Sequence, residues 1–244
     1  MRSLSRRVTA FPVILLLVTA NIAAFAAGPS TTTPVPRKDK WWANRQEMIN
    51  ANVKKHSDSQ LVLIGDSITH GWEGKGAQEI WQKYYDKRHA VNLGIGGDQT
   101  QHVLWRLDHG NLDGIHPKLA VVMIGTNNSG SNTPEDIAAG VKAIVDKLRT
   151  KVPACKVLVL AIFPRGADAN DRLRKANEAA NERIATFADG QNVFYLDIGP
   201  KFLGPDGTLS RDIMPDLLHP NAKGYEIWAS SIEPTVAKLL GESS

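Results

Sequence analysis

Cysteine is almost missing from the 244 residues: Cys155 stands alone, so no disulfide can form within the chain. It sits in an apolar, strand-like run, where a lone thiol reads as a small buried hydrophobe. Long hydrophobic runs are equally scarce. The main one, residues 8–20, is interrupted by Thr9, Pro12 and Thr19 and falls short of the ~20 apolar residues that a membrane span needs. Several catalytic signatures are absent as well. There is no Gly-x-Ser-x-Gly elbow, no Ser-x-x-Lys, no phosphate-binding loop and no His-Glu-x-x-His helix. No His, Asp and Glu grouping has metal-ligand spacing, so neither a metal nor an organic cofactor is expected. A large excess of one charge is also lacking, with 29 Lys and Arg against 25 Asp and Glu.

The chain start explains most of that small excess. Arg2, Arg6 and Arg7 precede the apolar run, and Ala24-Phe25-Ala26 closes it with a small-x-small pattern. Residues 1–26 therefore read as a cleavable export signal, with cleavage near Ala26 and a secreted or periplasmic product. Cleavage there removes three arginines and no acid, leaving 26 basic against 25 acidic residues. A nearly neutral mature chain gives no footing for nucleic acid or an anionic surface. No cysteine follows the run to carry a lipid, so no stable membrane anchor is expected.

Residues 27–40 are polar and proline-rich and read as a flexible linker. Residues 41–244 read as a single domain, for which a 42% hydrophobic content is ordinary. A helix-like segment covers 41–56. Strand-length apolar runs follow at 60–64, 90–93, 119–124, 156–162 and 193–196. Most are continuous rather than alternating, as strands covered on both faces should be. Helix patterns lie between them. Thr133 caps one, Pro134 takes its first position, and Glu135 and Asp136 fill its first turn, with the helix running to about 150. Others cover 171–188 and about 222–240. This alternation predicts a five-stranded parallel α/β sheet with right-handed crossovers.

In such a sheet the loops after the strands share one edge, and ligands bind there. Gly65-Asp66-Ser67 follows the first strand, and Gly94-Ile95-Gly96-Gly97-Asp98 the second. Gly125-Thr126-Asn127-Asn128 follows the third, and Asp216-Leu217-Leu218-His219 comes after the fifth, past a long loop. Taken singly, each is ordinary turn chemistry. The glycine loop begins like a dinucleotide loop but has Gln99 in place of the third glycine. Together they supply a hydroxyl, glycine amides, a side-chain amide and an Asp/His pair, the set that acyl transfer requires.

Seven histidines compete for the role of base. His116, in Asp113…His116, precedes the third strand and belongs at the opposite end of the sheet from Ser67. His219, in Asp216…His219, follows the fifth strand and lies on the correct edge. His70 should lie a turn beyond Ser67, as a wall. His56, His89, His102 and His109 read as surface or packing residues. The expected triad is Ser67, His219 and Asp216, with neutral His219 taking the serine proton and Asp216 fixing its tautomer.

At these residues the chain resembles the SGNH, or GDSL-like, hydrolases. Gly65-Asp66-Ser67 matches their first block, Gly97 the second, Asn127 the third and Asp216-x-x-His219 the last. It is most similar to members of the platelet-activating-factor acetylhydrolase α-subunit type, through residues 92–107, 121–128, 163–166 and 217–219. The resemblance spans roughly 60–240. Asn128 stands where many such enzymes have Asp, and 73–76 looks like a local insertion near the pocket rim.

The resemblance implies a flavodoxin-like, three-layer α/β/α sandwich and esterase activity on short acyl groups. It implies an oxyanion hole built from the backbone N–H groups of Ser67 and Gly97 and the side-chain amide of Asn127. Ile68, Thr126 and Leu218 adjoin catalytic positions and are expected to wall the acyl pocket. Three functions follow for comparison. The first is a short-chain esterase acting on a small-molecule or acetylated carbohydrate ester. The second is a lipid-directed esterase, and the third a non-catalytic binding module, against which the complete residue set argues. A homodimer remains open on either enzymatic reading.

Overall fold

The structure, a computed structural model, describes residues 30–242; the expected export signal at 1–26 lies outside them. Five strands form one sheet: β1 (Leu61–Gly65), β2 (Val91–Gly94), β3 (Leu119–Met123), β4 (Lys156–Leu160) and β5 (Val193–Leu196). Their order is β2-β1-β3-β4-β5, and every neighbouring pair is parallel. All residues of β1, β2 and β3 are buried, which accounts for their continuous apolar sequences.

The helices are α1 (Lys40–Lys55), α2 (Ser67–His70), α3 (Ala77–Tyr85), α4 (Thr100–Leu107), α5 (Pro134–Lys151), α6 (Arg172–Ile184) and α7 (Ala222–Leu240). They split between the two faces of the sheet. Val62 and Ile64 of β1 join a cluster with Trp42, Ile49, Val103, Ile137 and Ala180 from α1, α4, α5 and α6. Leu61 and Leu63 point the other way, into a cluster with Ala77, Tyr85, Trp228 and Val236 from α3 and α7. The period of two along one strand thus feeds two cores, and the fold is the expected three-layer α/β/α sandwich. No helix among the described residues is long and apolar enough to cross a membrane.

Trp72, on a single 3-10 turn after α2, sits at the centre of the second core. Its ring packs on those of Trp81, Tyr85, Tyr225 and Trp228 at centroid distances of 5.9, 5.4, 4.4 and 5.0 Å. Cys155 is buried and free, and burial pushes its thiol up to about 12.

Two expectations are corrected. The fourth strand stops at Leu160 rather than 162. Beyond it the backbone of Ile162 is held by the side-chain amide of Asn181 on α6, which both accepts from its N–H at 2.8 Å and donates to its C=O at 2.9 Å. The stretch read as a flexible linker, 27–40, is seated on the domain over its described part. Thr31 is buried; its hydroxyl donates to Asp136 O at 2.7 Å, and its carbonyl accepts from Thr100 Oγ1 at 2.9 Å. Val35 N donates to Gln101 O at 3.3 Å. These contacts run to the first turns of α4 and α5, and Asp39 then caps α1 by accepting from Trp42 N at 2.9 Å.

Candidate active site

The order β2-β1-β3 places a switch of direction at β1, so the loops after β1, β2 and β3 open on one crevice. Gly65 ends β1. A Cβ there would stand 2.1 Å from Thr69 Oγ1 and 2.4 Å from Met123 O, so only glycine lets the chain turn this tightly. Asp66 caps α2 by accepting from Ile68 N at 3.0 Å, and Ser67 becomes the first helical residue. The Asp66 carboxyl is wholly buried, and burial raises it to about 7. Its second oxygen, Oδ2, has no hydrogen-bond partner among the described residues.

The opposite side of the crevice is the loop before α7. Asp216 Oδ1 accepts from the backbone N–H groups of Leu218 at 3.0 Å and His219 at 2.7 Å. Its Oδ2 lies 2.6 Å from His219 Nδ1. Leu217 between them adopts φ 62, a left-handed conformation that costs a non-glycine residue on the order of 1 kcal/mol. Partial burial opposes ionisation of Asp216, but the bonds from the His219 side chain and from both backbone amides hold the carboxyl below its ordinary range. With Nδ1–H donating to Asp216, the neutral ring presents its Nε2 lone pair to Ser67. Ser67 Oγ and His219 Nε2 are 2.8 Å apart.

Gly97 and Asn127 lie on the loops after β2 and β3, at the same edge of the sheet as this pair. Gly97 has φ +77, and its N–H has no acceptor among the described residues. Asn127 Nδ2 donates to Asp98 O at 2.9 Å, and Gln99 Nε2 donates to Asn127 O at 2.8 Å. One of the two Asn127 amide hydrogens is used as an anchor and the other remains to donate. Beneath the loop, buried Arg106 donates to Asp98 Oδ2 at 2.8 Å, Leu93 O at 2.9 Å and Gly65 O at 3.3 Å. It thus ties the ends of β1 and β2 to the glycine loop. His102 accepts from Gln99 N at 3.0 Å through Nδ1. Burial, reinforced by the charges of Arg37 and Arg106, drives its ring down to about 4 and keeps it neutral for that bond.

A cleft of about 270 Å3 opens at the serine. Ser67, Gly71, Lys75, His219, Asn221 and Tyr225 contribute to its lining. Gly74 and Lys75 bring the suspected insertion to the rim, as expected. A larger groove of about 680 Å3 runs between α1 and α3 but touches neither Ser67 nor His219. Among the described residues no three His, Cys, Asp or Glu side chains converge to hold a metal ion.

The structure therefore brings Ser67, Asp216, His219, Gly97 and Asn127 to one edge, and leaves His116 exposed before β3 at the other. The expected acyl walls are placed differently. Ile68 is buried in the core with α3 and α7, and Thr126 is buried with its hydroxyl accepting from Arg165 Nη1 at 3.1 Å and Asn177 Nδ2 at 3.3 Å. Leu218 is half-buried against the same core as Ile68, and none of the three lines the cleft. Successive residues at a helix start are turned by about 100°, so the neighbour of a cleft-facing serine faces inward.

Two residues at the site carried no signal in the sequence. Arg37 Nη1 donates to Gly96 O at 2.6 Å. Trp41, 51% exposed, lies beside His70 with ring centroids 5.9 Å apart. Both come from the chain before and at the start of α1, where proline-rich polar sequence conceals a tertiary contact.

Comparison with known proteins supports the same architecture. Residues 63–227 match the GDSL-like lipase/acylhydrolase family. Human platelet-activating factor acetylhydrolase IB subunit alpha1 is 36% identical over 218 residues, covering 89% of this chain and 91% of that protein. Among solved structures, a GDSL-like lipase from Bacteroides thetaiotaomicron superposes with a TM-score of 0.65 at 20% identity, covering 80% of this chain and 97% of that one. A variant of a Geobacillus acetyl-xylooligosaccharide esterase gives 0.58 at 18%, covering 76% and 95%. At those identities the two structures speak for the fold.

Proposed function

This chain belongs to the GDSL-like lipase/acylhydrolase family and is a carboxylic ester hydrolase; from that premise we propose that it cleaves short-chain esters, acetyl esters foremost, through Ser67, His219 and Asp216. The carrying observation is the unbroken pair of hydrogen bonds, 2.8 Å from Ser67 to His219 and 2.6 Å on to Asp216. His219 Nε2 takes the hydroxyl proton as Ser67 Oγ attacks the carbonyl carbon. Asp216 stabilises the imidazolium that forms. The oxyanion meets the N–H groups of Ser67 and Gly97 and the free amide hydrogen of Asn127, each contributing ~3 kcal/mol at the transition state. His219 then protonates the departing alcohol. Water, deprotonated by the same imidazole, attacks the acyl-serine and releases the acid.

The acyl preference draws support from the relative at 36% identity, an acetylhydrolase by name. For the alcohol, the reading is a carbohydrate. A Cβ on Gly96 would lie 3.4 Å from Trp41 Cη2 and 3.8 Å from both His70 Nδ1 and Ser67 Cβ. These groups surround a space kept open by the missing side chain, and the exposed indole offers a flat apolar face to a sugar ring. The same relative's name also favours a lipid alcohol. Rates on p-nitrophenyl esters from acetate to palmitate read the acyl length, and acetylated xylan beside an acetylated glycerophospholipid separates the two alcohols. Ser67→Ala should abolish hydrolysis in a folded protein; retained activity would sink the assignment, rates rising toward palmitate would sink the acetyl preference, and faster turnover of the acetylated phospholipid than of acetylated xylan would turn the alcohol to lipid.

A further inference from the structure

Resting on the reading of Gly97 as an oxyanion donor, we infer that Arg37 is a positioning residue for that donor, gripping its peptide from the rear. The Gly96 carbonyl and the Gly97 N–H are the two ends of one planar, trans peptide unit, so they point in opposite directions. Whatever holds the carbonyl aims the amide. Arg37 Nη1 donates to that carbonyl at 2.6 Å. The same nitrogen would lie 2.9 Å from a Cβ built on Gly97, so the guanidinium lies against the unit it grips. No other donor reaches Gly96 O among the described residues.

The unit needs such a grip. It is flanked by two glycines, and Gly97 already occupies φ +77, so rotation of this peptide meets little steric resistance. A flip would exchange its ends and turn a carbonyl oxygen toward the developing negative charge. A cation fixed on the carbonyl side opposes the flip. It also polarises the peptide, which strengthens the N–H at the other end.

Arg37 is itself held in place. Its Nε donates to Asp39 Oδ2 at 3.0 Å, and Nη1 stands 3.8 Å from Asp98 Oδ1. Asp98 is engaged by Trp42 Nε1 at 2.7 Å and by Arg106 and draws the guanidinium to the loop, while Asp39 pairs with Nε and leaves Nη1 to the Gly96 carbonyl. The segment before α1 thus completes the oxyanion site, although it contributes no atom to the reaction.

The test is steady-state hydrolysis of p-nitrophenyl acetate by the whole chain carrying Arg37→Ala, Arg37→Lys or Arg37→Gln. For Arg37→Ala, kcat is expected to fall at least tenfold with KM changed less than twofold, because the loss is felt at the oxyanion and not in ground-state binding. Arg37→Lys, which keeps a charged donor, should recover part of kcat, and millimolar guanidinium should raise the rate of Arg37→Ala but not of the wild type. A trifluoromethyl ketone that mimics the tetrahedral adduct should lose affinity in step with kcat/KM. If Arg37→Ala does not fold, Arg37→Gln carries the same comparison. A folded variant with kcat within twofold of wild type, or a rise in KM alone, overturns the inference. So does a lost kcat that neither lysine nor guanidinium restores. Ser67→Ala, run alongside, tests the acyl-transfer reading separately.

Discussion

Replacing Asp66 by Asn should make the protein's stability markedly less sensitive to alkali. The carboxyl is wholly buried, accepts one backbone hydrogen bond through Oδ1 and leaves Oδ2 without a partner. Burial raises it from 3.8 to about 7, with the nearby charge of Asp98 adding to the rise. The folded protein therefore keeps a proton that the unfolded chain releases near its ordinary value. Between those two pH values the folded state binds the extra proton, so raising the pH through that window destabilises the fold. At ~1.4 kcal/mol per pH unit, the loss between pH 5 and pH 8 is roughly 3 kcal/mol. Asn is the neutral isostere of the protonated acid and keeps the acceptor that caps α2. Urea unfolding of both proteins at pH 5 and pH 8 measures the difference of differences, in which every other titrating group cancels. The expected result is an advantage of Asp66→Asn over the wild type that grows by ~3 kcal/mol from pH 5 to pH 8. Parallel pH profiles would show that Asp66 ionises without cost, and would refute the argument from burial.

Two further outcomes follow from the site. His219→Ala should lower kcat by about four orders of magnitude, whereas His116→Ala, at the far end of the sheet, should leave kcat within a few-fold; p-nitrophenyl acetate kinetics of both variants give the answer, and the reverse pattern would contradict the assignment of the base. Trp41→Ala should raise KM for acetylated xylo-oligosaccharides about tenfold, as the loss of ~1.4 kcal/mol of stacking would, while KM for ethyl acetate stays constant. An equal effect on both substrates would remove Trp41 from the alcohol side.

The sheet was readable because burial on both faces writes itself as unbroken apolar runs, and because Thr133-Pro134 announces a helix start without tertiary help. The edge was readable for a topological reason: residues after parallel strands converge, so Ser67, Gly97, Asn127 and His219 could be gathered without knowing any distance. What failed was adjacency. Ile68 and Thr126 neighbour cleft residues in sequence, but their side chains are turned into the interior by the local backbone. Arg37 was hidden for another reason. Its significance lies in a contact with Gly96, 59 residues away, and a polar, proline-rich stretch has no periodicity to reveal where it docks.

The ring cluster around Trp72 has a consequence for how the protein is born. Ser67 leaves the ribosome early, and His219 follows it 152 residues later. Trp72, five residues after the serine, is clasped by Tyr225 and Trp228 of the last helix, and Tyr225 also donates to Ile68 O at 2.7 Å. The serine thus waits through most of translation without its base, and a chain that has not yet docked α7 is chemically silent. Because the closing contact is made of indoles and phenols, the emission of those tryptophans should change in the same kinetic phase that switches hydrolysis on.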